Sequence, residues 1–266
     1  MNNTSIHYAR GKTLGGCTAR NYMAFHRSTK DAYQKWADDV DDQSYTFENL
    51  LPYFQRSIHY TPPGPQRAEN ATAEVDLSTL APQNKTDENP LSVTFSNYAQ
   101  PISSWVEKAL QQIGINPIKG FTSGDLLGSS YPLLTIEADT QIRDSSETSF
   151  LRSAMKSDNL MVYISTLATK VLFDGNKTAT GVKVDTQGLE YTLSARKEVI
   201  LSAGAFQSPQ LLLVSGIGDK ETLERYDIPV VAHRPGVGQN MWVSIPPRLF
   251  YLKSTIRLIM LQIRIM

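Results

Sequence analysis

The chain has 266 residues, of which 41% are hydrophobic and 20% are charged, and its formal net charge at pH 7 is zero. This length can bury a sizeable core in one large domain or two modest ones, and the composition is typical of a globular protein. The balanced charge argues against a nucleic-acid partner, because phosphate binding requires a surplus of Lys and Arg. The single cysteine, Cys17, excludes an internal disulfide framework and a cysteine-rich metal site, and we expect no bound metal.

Two observations concern the cellular setting. No apolar run is long enough to span a bilayer, so we expect no membrane span, and the polar first residues do not form a signal peptide. The chain nevertheless carries Asn-x-Ser/Thr sequons, which predict a glycoprotein if the parent protein is secreted. They begin at Asn2, Asn3, Asn70, Asn84 and Asn176.

A glycine-rich stretch, residues 10–25, is the first candidate binding segment. Gly11, Gly15 and Gly16 stand close to a lysine and two threonines, so backbone N–H groups, a cation and hydroxyls are available to an anion. The spacing matches neither the Walker loop nor G-x-G-x-x-G. Spacing alone therefore leaves two interpretations open, an anion-binding turn and an ordinary turn.

The middle of the chain alternates predicted helices with a loop. Apolar residues recur at helical spacing within residues 30–60 and again over 103–113, which predicts two helical pieces and a third helix that Gly114 ends. The proline-rich residues 61–90 predict a long surface loop or lid. The acidic residues at 38–42 lack the regular alternation of a hard-cation loop, so they predict a solvated turn.

The second half is predicted to contain more strands. Several hydroxyl residues precede Phe150, which predicts a helix start within residues 143–155. Two strands follow, at 160–173 and 180–184, joined by a turn at 174–176, and a helix near 220–226 precedes a strand at 230–232. Residues 249–266 are apolar and basic. We interpret them as a chain end that does not belong to the preceding fold, the alternative being an amphipathic membrane-surface helix.

The second candidate binding segment is residues 197–218. Its apolar run, residues 199–201, predicts a short buried strand, and the small residues 203–205 allow a ligand or another backbone to come close. Ser208 is predicted to cap a helix with Pro209 at its first position, and Gly216 is predicted to end that helix. A strand, a small-residue turn and a helix N-terminus can hold an anionic cofactor. An ordinary βα unit is the other interpretation.

Both segments resemble signatures of one family, the flavin-dependent glucose–methanol–choline (GMC) oxidoreductases, and among them fungal alcohol oxidases and dehydrogenases. The later segment is similar to the family's second signature at every fixed position, Gly204-Ala205-x-x-Ser208-Pro209-x-Leu211-Leu212-x-x-Ser215-Gly216-Ile217-Gly218. The earlier segment is similar to the first signature, Gly11-Lys12-x-Leu14-Gly15-Gly16-x-Thr18-x-x-Asn21, with departures at Cys17 and Arg20. A looser likeness extends from about Tyr8 to Met241.

The resemblance implies an α/β fold with α+β elements, in which a partial GMC-type FAD-binding domain carries part of a substrate or lid domain. It implies FAD-binding parts at 1–60 and 136–242, a lid or substrate-domain portion at 61–135, and a divergent tail at 243–266. FAD would be the cofactor and a small-molecule alcohol the substrate. The pyrophosphate and flavin would be lined by Gly15, Gly16, Thr18 and Asn21, with Met23 and Ala24 beside the ring. Ala168 would meet adenine through its backbone, and Ala203, Gly204 and Ala205 would pass close to the ADP half.

Two departures from the family pattern predict reduced catalytic activity of this chain. The strand–GxGxxG–helix unit with which such enzymes start is not found before the glycine-rich stretch, and no residue matches their catalytic His segment. His7, His26, His59 and His233 lie outside any matching motif, so we assign no catalytic residue. We therefore expect a truncated member that is weakly active or inactive as this chain. The alternative is a non-catalytic remnant or a binding protein without flavin. The family is often secreted in fungi, but neither compartment nor oligomeric state is predicted.

Overall fold

A computed structural model describes residues 9–80 and 90–241 of the chain. The described residues form two compact units that divide between Met161 and Val162, here called unit 1 and unit 2. Both units mix helices with strands, which confirms the predicted α/β class with α+β elements. Several predictions concern residues outside the described ranges: those on His7, on the sequons at Asn2, Asn3 and Asn84, on residues 81–89 of the loop, and on the tail from residue 243.

Four helices lie among the described residues of unit 1: α1 (Lys30–Val40), α2 (Phe47–Arg56), α3 (Pro101–Gln112) and the short α4 (Arg152–Ala154). The first begins where the Thr29 side chain accepts a hydrogen bond from the backbone N–H of Ala32. Tyr33 of α1 packs against Phe47 and Phe54 of α2, with ring centroids 5.8 and 5.6 Å away. The helices predicted from periodicity within 30–60 and at 103–113 are thus confirmed.

The strands of unit 1 are short and pair in twos. They are β1 (Ala24–Phe25), β2 (Ile58–Tyr60), β3 (Leu91–Val93) and β4 (Leu133–Leu134), with β1 antiparallel to β4 and β2 parallel to β3. Side chains of β2, β3 and β4 form a buried cluster together with two residues outside the strands, Leu80 and Phe95. The strand residues of the cluster are Ile58, Tyr60, Val93 and Leu133. Packing of this apolar cluster fixes β1, and with it the end of the glycine-rich stretch.

Unit 2 is built on a three-stranded antiparallel meander, β5 (Thr166–Phe173), β6 (Ala179–Thr186) and β7 (Leu189–Ser194). The first turn is closed by Asp174, whose Oδ1 accepts from the backbone N–H groups of Asn176 and Thr178 at 2.9 and 2.8 Å. The second turn contains Gly188 with φ +90°. The first turn lies where the sequence predicted a turn at 174–176.

The rest of unit 2 is α5 (Gln207–Val214), β8 (Ile217–Gly218), α6 (Lys220–Arg225) and β9 (Ala232–His233), with β8 parallel to β9. Ser215 fastens α5 to the meander, because its buried Oγ accepts from the Val171 N–H at 2.8 Å and donates to the Leu211 carbonyl at 2.6 Å. Gly216, with φ +91°, ends α5 as predicted.

The prediction of a buried strand at 199–201 is wrong. No strand is present there, and the side chain of Ile200 is 75% exposed. A strand exists only where a neighbour supplies hydrogen-bond partners, and none of the described residues pairs with this run. The strand predicted from residue 160 begins only at Thr166. Residues 160–165 lack strand partners among the described residues, as the run at 199–201 does.

Other boundaries also differ from prediction. Helix α5 begins at Gln207 after Phe206, so Ser208 lies inside it and does not cap it. The Ser208 hydroxyl instead accepts from the Ala203 N–H at 2.9 Å, a local alternative that Ser side chains offer the backbone. The strand predicted at 230–232 is β9, two residues later. Helix α3 forms as predicted, but none of its residues is buried, and Trp105 is 67% exposed.

Candidate functional site

The glycine-rich stretch of unit 1 folds into a tight turn. Gly15 and Gly16 have φ of +79° and +52°, values that favour glycine, and a 3₁₀ turn follows over Gly16–Ala19. A Cβ on Gly11 would lie 2.0 Å from the Gly16 carbonyl oxygen, so the backbone packs too closely there for any side chain. A Cβ on Gly16, by contrast, would meet no atom of the described residues within 4 Å. The turn is therefore closed on one side and open on the other.

Thr18 and Ser146 brace this turn through the carbonyl of Gly15. The Thr18 hydroxyl donates to that carbonyl at 2.5 Å, and the Ser146 hydroxyl donates to it at 3.1 Å. The Ser146 N–H in turn donates to the Thr18 hydroxyl at 3.0 Å. Two segments that are 128 residues apart in sequence thus share one hydrogen-bond network.

Asn21 is the centre of a second network. Its Oδ1 accepts from the backbone N–H of Met23 at 3.0 Å and from Nη1 of Arg143 at 2.6 Å. The same Arg143 nitrogen donates to the Thr18 carbonyl at 3.1 Å. Met23 has φ +62°, and its carbonyl accepts from the Thr135 N–H at 2.9 Å. The backbone after Asn21 is thereby held into β1, where Ala24 pairs with Leu134.

Arg143 and Ser146 sit on an anchored segment. Asp144, which is 1% exposed, accepts from the Ser92 N–H at 2.7 Å and from the Thr148 hydroxyl at 2.5 Å. Sequence reasoning missed both bracing residues, since the hydroxyl-rich run 143–149 was interpreted only as a helix start. The one sequence feature that could have indicated them is the high density of hydroxyl and charged side chains in residues 143–149.

Cys17 lies on the exposed side of the turn. The backbone N–H of Gly11, helped by the side chain of Arg10, holds the pKa of the Cys17 thiol below its ordinary value. A larger fraction of this thiol is therefore thiolate at neutral pH, and thiolate is the reactive form.

The second segment lies in unit 2. Gly204 has φ +101°, and its carbonyl accepts from the Ser208 N–H at 2.9 Å, so the turn at 203–205 needs a glycine in its middle. Ala203 and Ala205 are exposed. Ala168 is exposed on β5, opposite Val184 of β6 and next to an irregularity in the pairing. The structure thus brings Gly15, Gly16, Thr18, Asn21, Met23 and Ala24 together in unit 1, and places Ala203, Gly204 and Ala205 together in unit 2.

The three histidines within the described residues lie on or beside different elements. His26 follows β1, His59 lies in β2 with its Nε2 3.2 Å from the Thr61 hydroxyl, and His233 ends β9, where its Nδ1 accepts from the Lys220 N–H at 3.0 Å. Residues 9–80 and 90–241 contain no group of three or more His, Cys, Asp or Glu side chains arranged to hold a metal ion. None of the helices in these ranges has the length and apolar character needed to cross a membrane.

Comparison with known proteins identifies the family. The GMC oxidoreductase family model matches residues 1–244. The chain is 56% identical over 236 residues to patulin synthase from Aspergillus clavatus, which covers 88% of this chain and 37% of that protein. It is 49% identical to a glucose methanol choline oxidoreductase from Aspergillus terreus, over 91% of this chain and 39% of that protein. An FAD-dependent oxidoreductase structure from Chaetomium thermophilum matches with a TM-score of 0.81 and 28% identity, over 88% of this chain and 40% of the other.

The chain therefore belongs to the GMC oxidoreductase family. This confirms the family that the two signatures resemble, and FAD is the cofactor that the family and its solved structures imply. The chain spans about two fifths of the length of these relatives.

The described residues fit such a cofactor. The open side of the turn at Gly16 leaves room for a bulky group to approach the backbone, and the exposed Asn21 amide adds a polar side chain beside it. Phosphate and flavin groups need this kind of close, low-bulk backbone surface.

Proposed function

We propose that this chain supplies FAD-binding parts of an oxidoreductase that acts on the CH–OH group of a small-molecule alcohol. The observation that carries the proposal is the braced turn of unit 1, whose backbone packs closely at Gly11 and is free of side-chain bulk at Gly16. The proposed division is the one implied by the resemblance, with FAD-binding parts at 1–60 and 136–242 and a lid or substrate portion at 61–135.

Each predicted site residue has a proposed role. Gly15, Gly16, Thr18 and Asn21 line the pyrophosphate and flavin, while Met23 and Ala24 lie beside the ring. In unit 2, the backbone of Ala168 meets adenine, and Ala203, Gly204 and Ala205 approach the ADP half. The positive φ values at Gly15, Gly16 and Gly204 support these roles, because they turn the backbone tightly without a side chain in the way.

FAD, when bound, supplies the hydride acceptor for the alcohol carbon. The residues of this chain bind and orient the cofactor. No residue is assigned as the base for the hydroxyl proton, because none of the chain's histidines lies in a motif that matches the family's catalytic segment.

We further propose that this chain alone binds FAD weakly and does not turn over. Support comes from unit 2, where Ile200, shortly before the turn at 203–205, is 75% exposed and its run pairs with none of the described residues. An apolar run without strand pairing holds the following turn less firmly, and a cofactor must then contribute the free energy of ordering it.

The test is to purify the chain, add FAD, remove the excess and record flavin absorbance and alcohol-dependent flavin reduction. Substoichiometric flavin without turnover is the expected result. Stoichiometric flavin with turnover would show that this chain is a competent oxidase or dehydrogenase, and the second half of the proposal would be withdrawn.

A second candidate function is a non-catalytic binding protein without flavin. The exposed apolar residues of unit 2, among them Ile164, Leu167 and Ile200, favour it, because apolar surface of this kind commonly marks a contact with another protein. This candidate predicts that FAD at millimolar concentration leaves the chain unchanged.

A further inference from the structure

The Asn21 amide has only one orientation compatible with its neighbours. The backbone N–H of Met23 and the guanidinium of Arg143 are both donors, and neither can accept a hydrogen bond. The side-chain atom they share, 3.0 and 2.6 Å away, must therefore be the oxygen and not the nitrogen. The Nδ2 group, with its two N–H donors, then points away from these partners on an exposed side chain.

Arg143 is held in place from both sides. Its backbone forms an isolated antiparallel bridge with Ile136, and the next residue, Asp144, is buried and bonded to the N–H of Ser92. Its Nη1 also donates to the carbonyl of Thr18, within the 3₁₀ turn. A charged donor on a fixed segment makes stronger hydrogen bonds than a neutral mobile one.

We infer that Arg143 is the positioning residue of this site: it locks the Asn21 amide with Nδ2 outward, so that Asn21 donates a hydrogen bond to an acceptor oxygen of the cofactor. Only the identity of the ligand rests on the proposed function. A pyrophosphate oxygen and a flavin carbonyl oxygen are both acceptors of the required kind. Arg143 itself acts through Asn21 and Thr18, and its role is to fix the turn before the cofactor arrives.

The Asn21 side chain has two separable properties, the acceptor Oδ1 and the donor Nδ2. Asn21→Asp keeps an acceptor for Met23 and Arg143 but removes the outward donor and adds a negative charge. Asn21→Leu removes both. The turn should therefore stay ordered with aspartate and loosen with leucine, whereas both changes should weaken the interaction with an anionic cofactor.

Hydrogen exchange of the chain without ligand tests the locking. The reporters are the amides of Thr18, Arg20 and Asn21, which are bonded inside the turn, and the amides of the β5–β7 sheet are the internal reference. Arg143→Gln should speed exchange of the reporters about tenfold while the reference stays unchanged. Arg143→Lys, which keeps the charge and a donor, should restore part of the protection.

The matched control is Arg152→Gln. Arg152 lies close to the same segment, but its side chain is 65% exposed and its ion pair is with Glu147, a kind of contact that contributes little. If Arg143→Gln exchanges no faster than this control, Arg143 does not position the turn. If Arg143→Gln disturbs the whole chain, the comparison of Asn21→Asp with Asn21→Leu replaces it. Equal exchange of the reporter amides in these two variants would rule out the assigned orientation of the Asn21 amide.

A final arm adds FAD at about 1 mM, a concentration that detects weak binding. FAD should slow exchange of the reporters in the unsubstituted chain and have no effect on Asn21→Asp. If Arg143→Gln loosens the turn but FAD protects no variant, the proposed function fails at this turn while the positioning role stands. If FAD protects Asn21→Asp as well as the unsubstituted chain, the donor role of Asn21 is wrong.

Discussion

At the scale of single residues, the glycine-rich stretch depends on backbone positions that tolerate no side chain. Gly11 is the extreme case, because a Cβ there would lie 2.0 Å from the carbonyl oxygen of Gly16. A backbone atom cannot swing away as a flexible side chain can, so the turn itself would have to change.

Gly11→Ala is therefore predicted to destabilise unit 1 by about 2 kcal/mol or more, measured by urea unfolding. The matched control is Gly16→Ala, where no atom of the described residues lies within 4 Å of the added Cβ and the cost of the left-handed backbone, about 1 kcal/mol, applies. Equal losses for the two variants would contradict the close approach at Gly11.

Cys17 offers a chemical measurement of the same turn. Since the Gly11 N–H and the Arg10 side chain lower the pKa of the thiol, its alkylation rate should reach half-maximum at a pH below that of an ordinary cysteine. Arg10→Gln should move this midpoint upward, towards the ordinary value. Cys17 is the only cysteine, so the rate reports this site alone. An unchanged midpoint would remove Arg10 as a cause.

At the scale of secondary structure elements, buried polar links carry more weight than intrinsic preference. Arg27 follows β1, is 4% exposed, and donates through Nη1 to the carbonyls of Thr79 and Thr122 at 2.6 and 3.0 Å. Burial lowers the pKa of Arg27 to about 10, so the side chain is still charged at neutral pH. It ties two loops to the end of the strand that follows the glycine-rich stretch.

Arg27→Met should cost about 2–3 kcal/mol of unfolding free energy, because it leaves two carbonyls without a charged donor. Arg27→Lys should recover part of the loss, since the ammonium can still reach one carbonyl. Chemical denaturation at pH 7 measures both. A loss below about 0.5 kcal/mol for methionine would mean that water replaces the guanidinium.

In unit 2, Ser215→Ala should destabilise the chain by about 1–2 kcal/mol, because the Val171 N–H loses its acceptor. Ser202→Ala, at an exposed position, is the control and should change stability by less than about 0.5 kcal/mol. Thermal unfolding compares the two variants. Similar stabilities would show that the link between α5 and β5 contributes nothing.

Local signals at two turns were predicted correctly from the sequence, whereas contacts between residues far apart in the chain were not predicted. The hairpin at Asp174 and the helix stop at Gly216 follow from residues within a few positions, so the pattern was sufficient. The prediction of a strand at 199–201 was wrong because strand pairing depends on a neighbour elsewhere in the polypeptide. Arg143 was missed for the same reason, since its contact with Asn21 joins residues 122 positions apart.

At the scale of the whole molecule, membership of the family and catalytic activity of this chain are separate questions. The family match covers residues 1–244, yet the chain spans 37–39% of the length of the relatives quoted above. The two signature segments are folded, one braced by Arg143 and Ser146, the other turned at Gly204. Cofactor binding by these segments and catalysis by the whole protein are therefore distinct claims, and they need distinct measurements.

The most direct test of the central claim is a fluorescence titration of FAD with the purified chain, with Asn21→Asp in parallel. We predict saturable quenching of flavin fluorescence with a dissociation constant weaker than about 1 µM, and loss of that quenching in the variant. Flavin fluorescence that stays constant up to about 1 mM chain would contradict FAD binding by this chain.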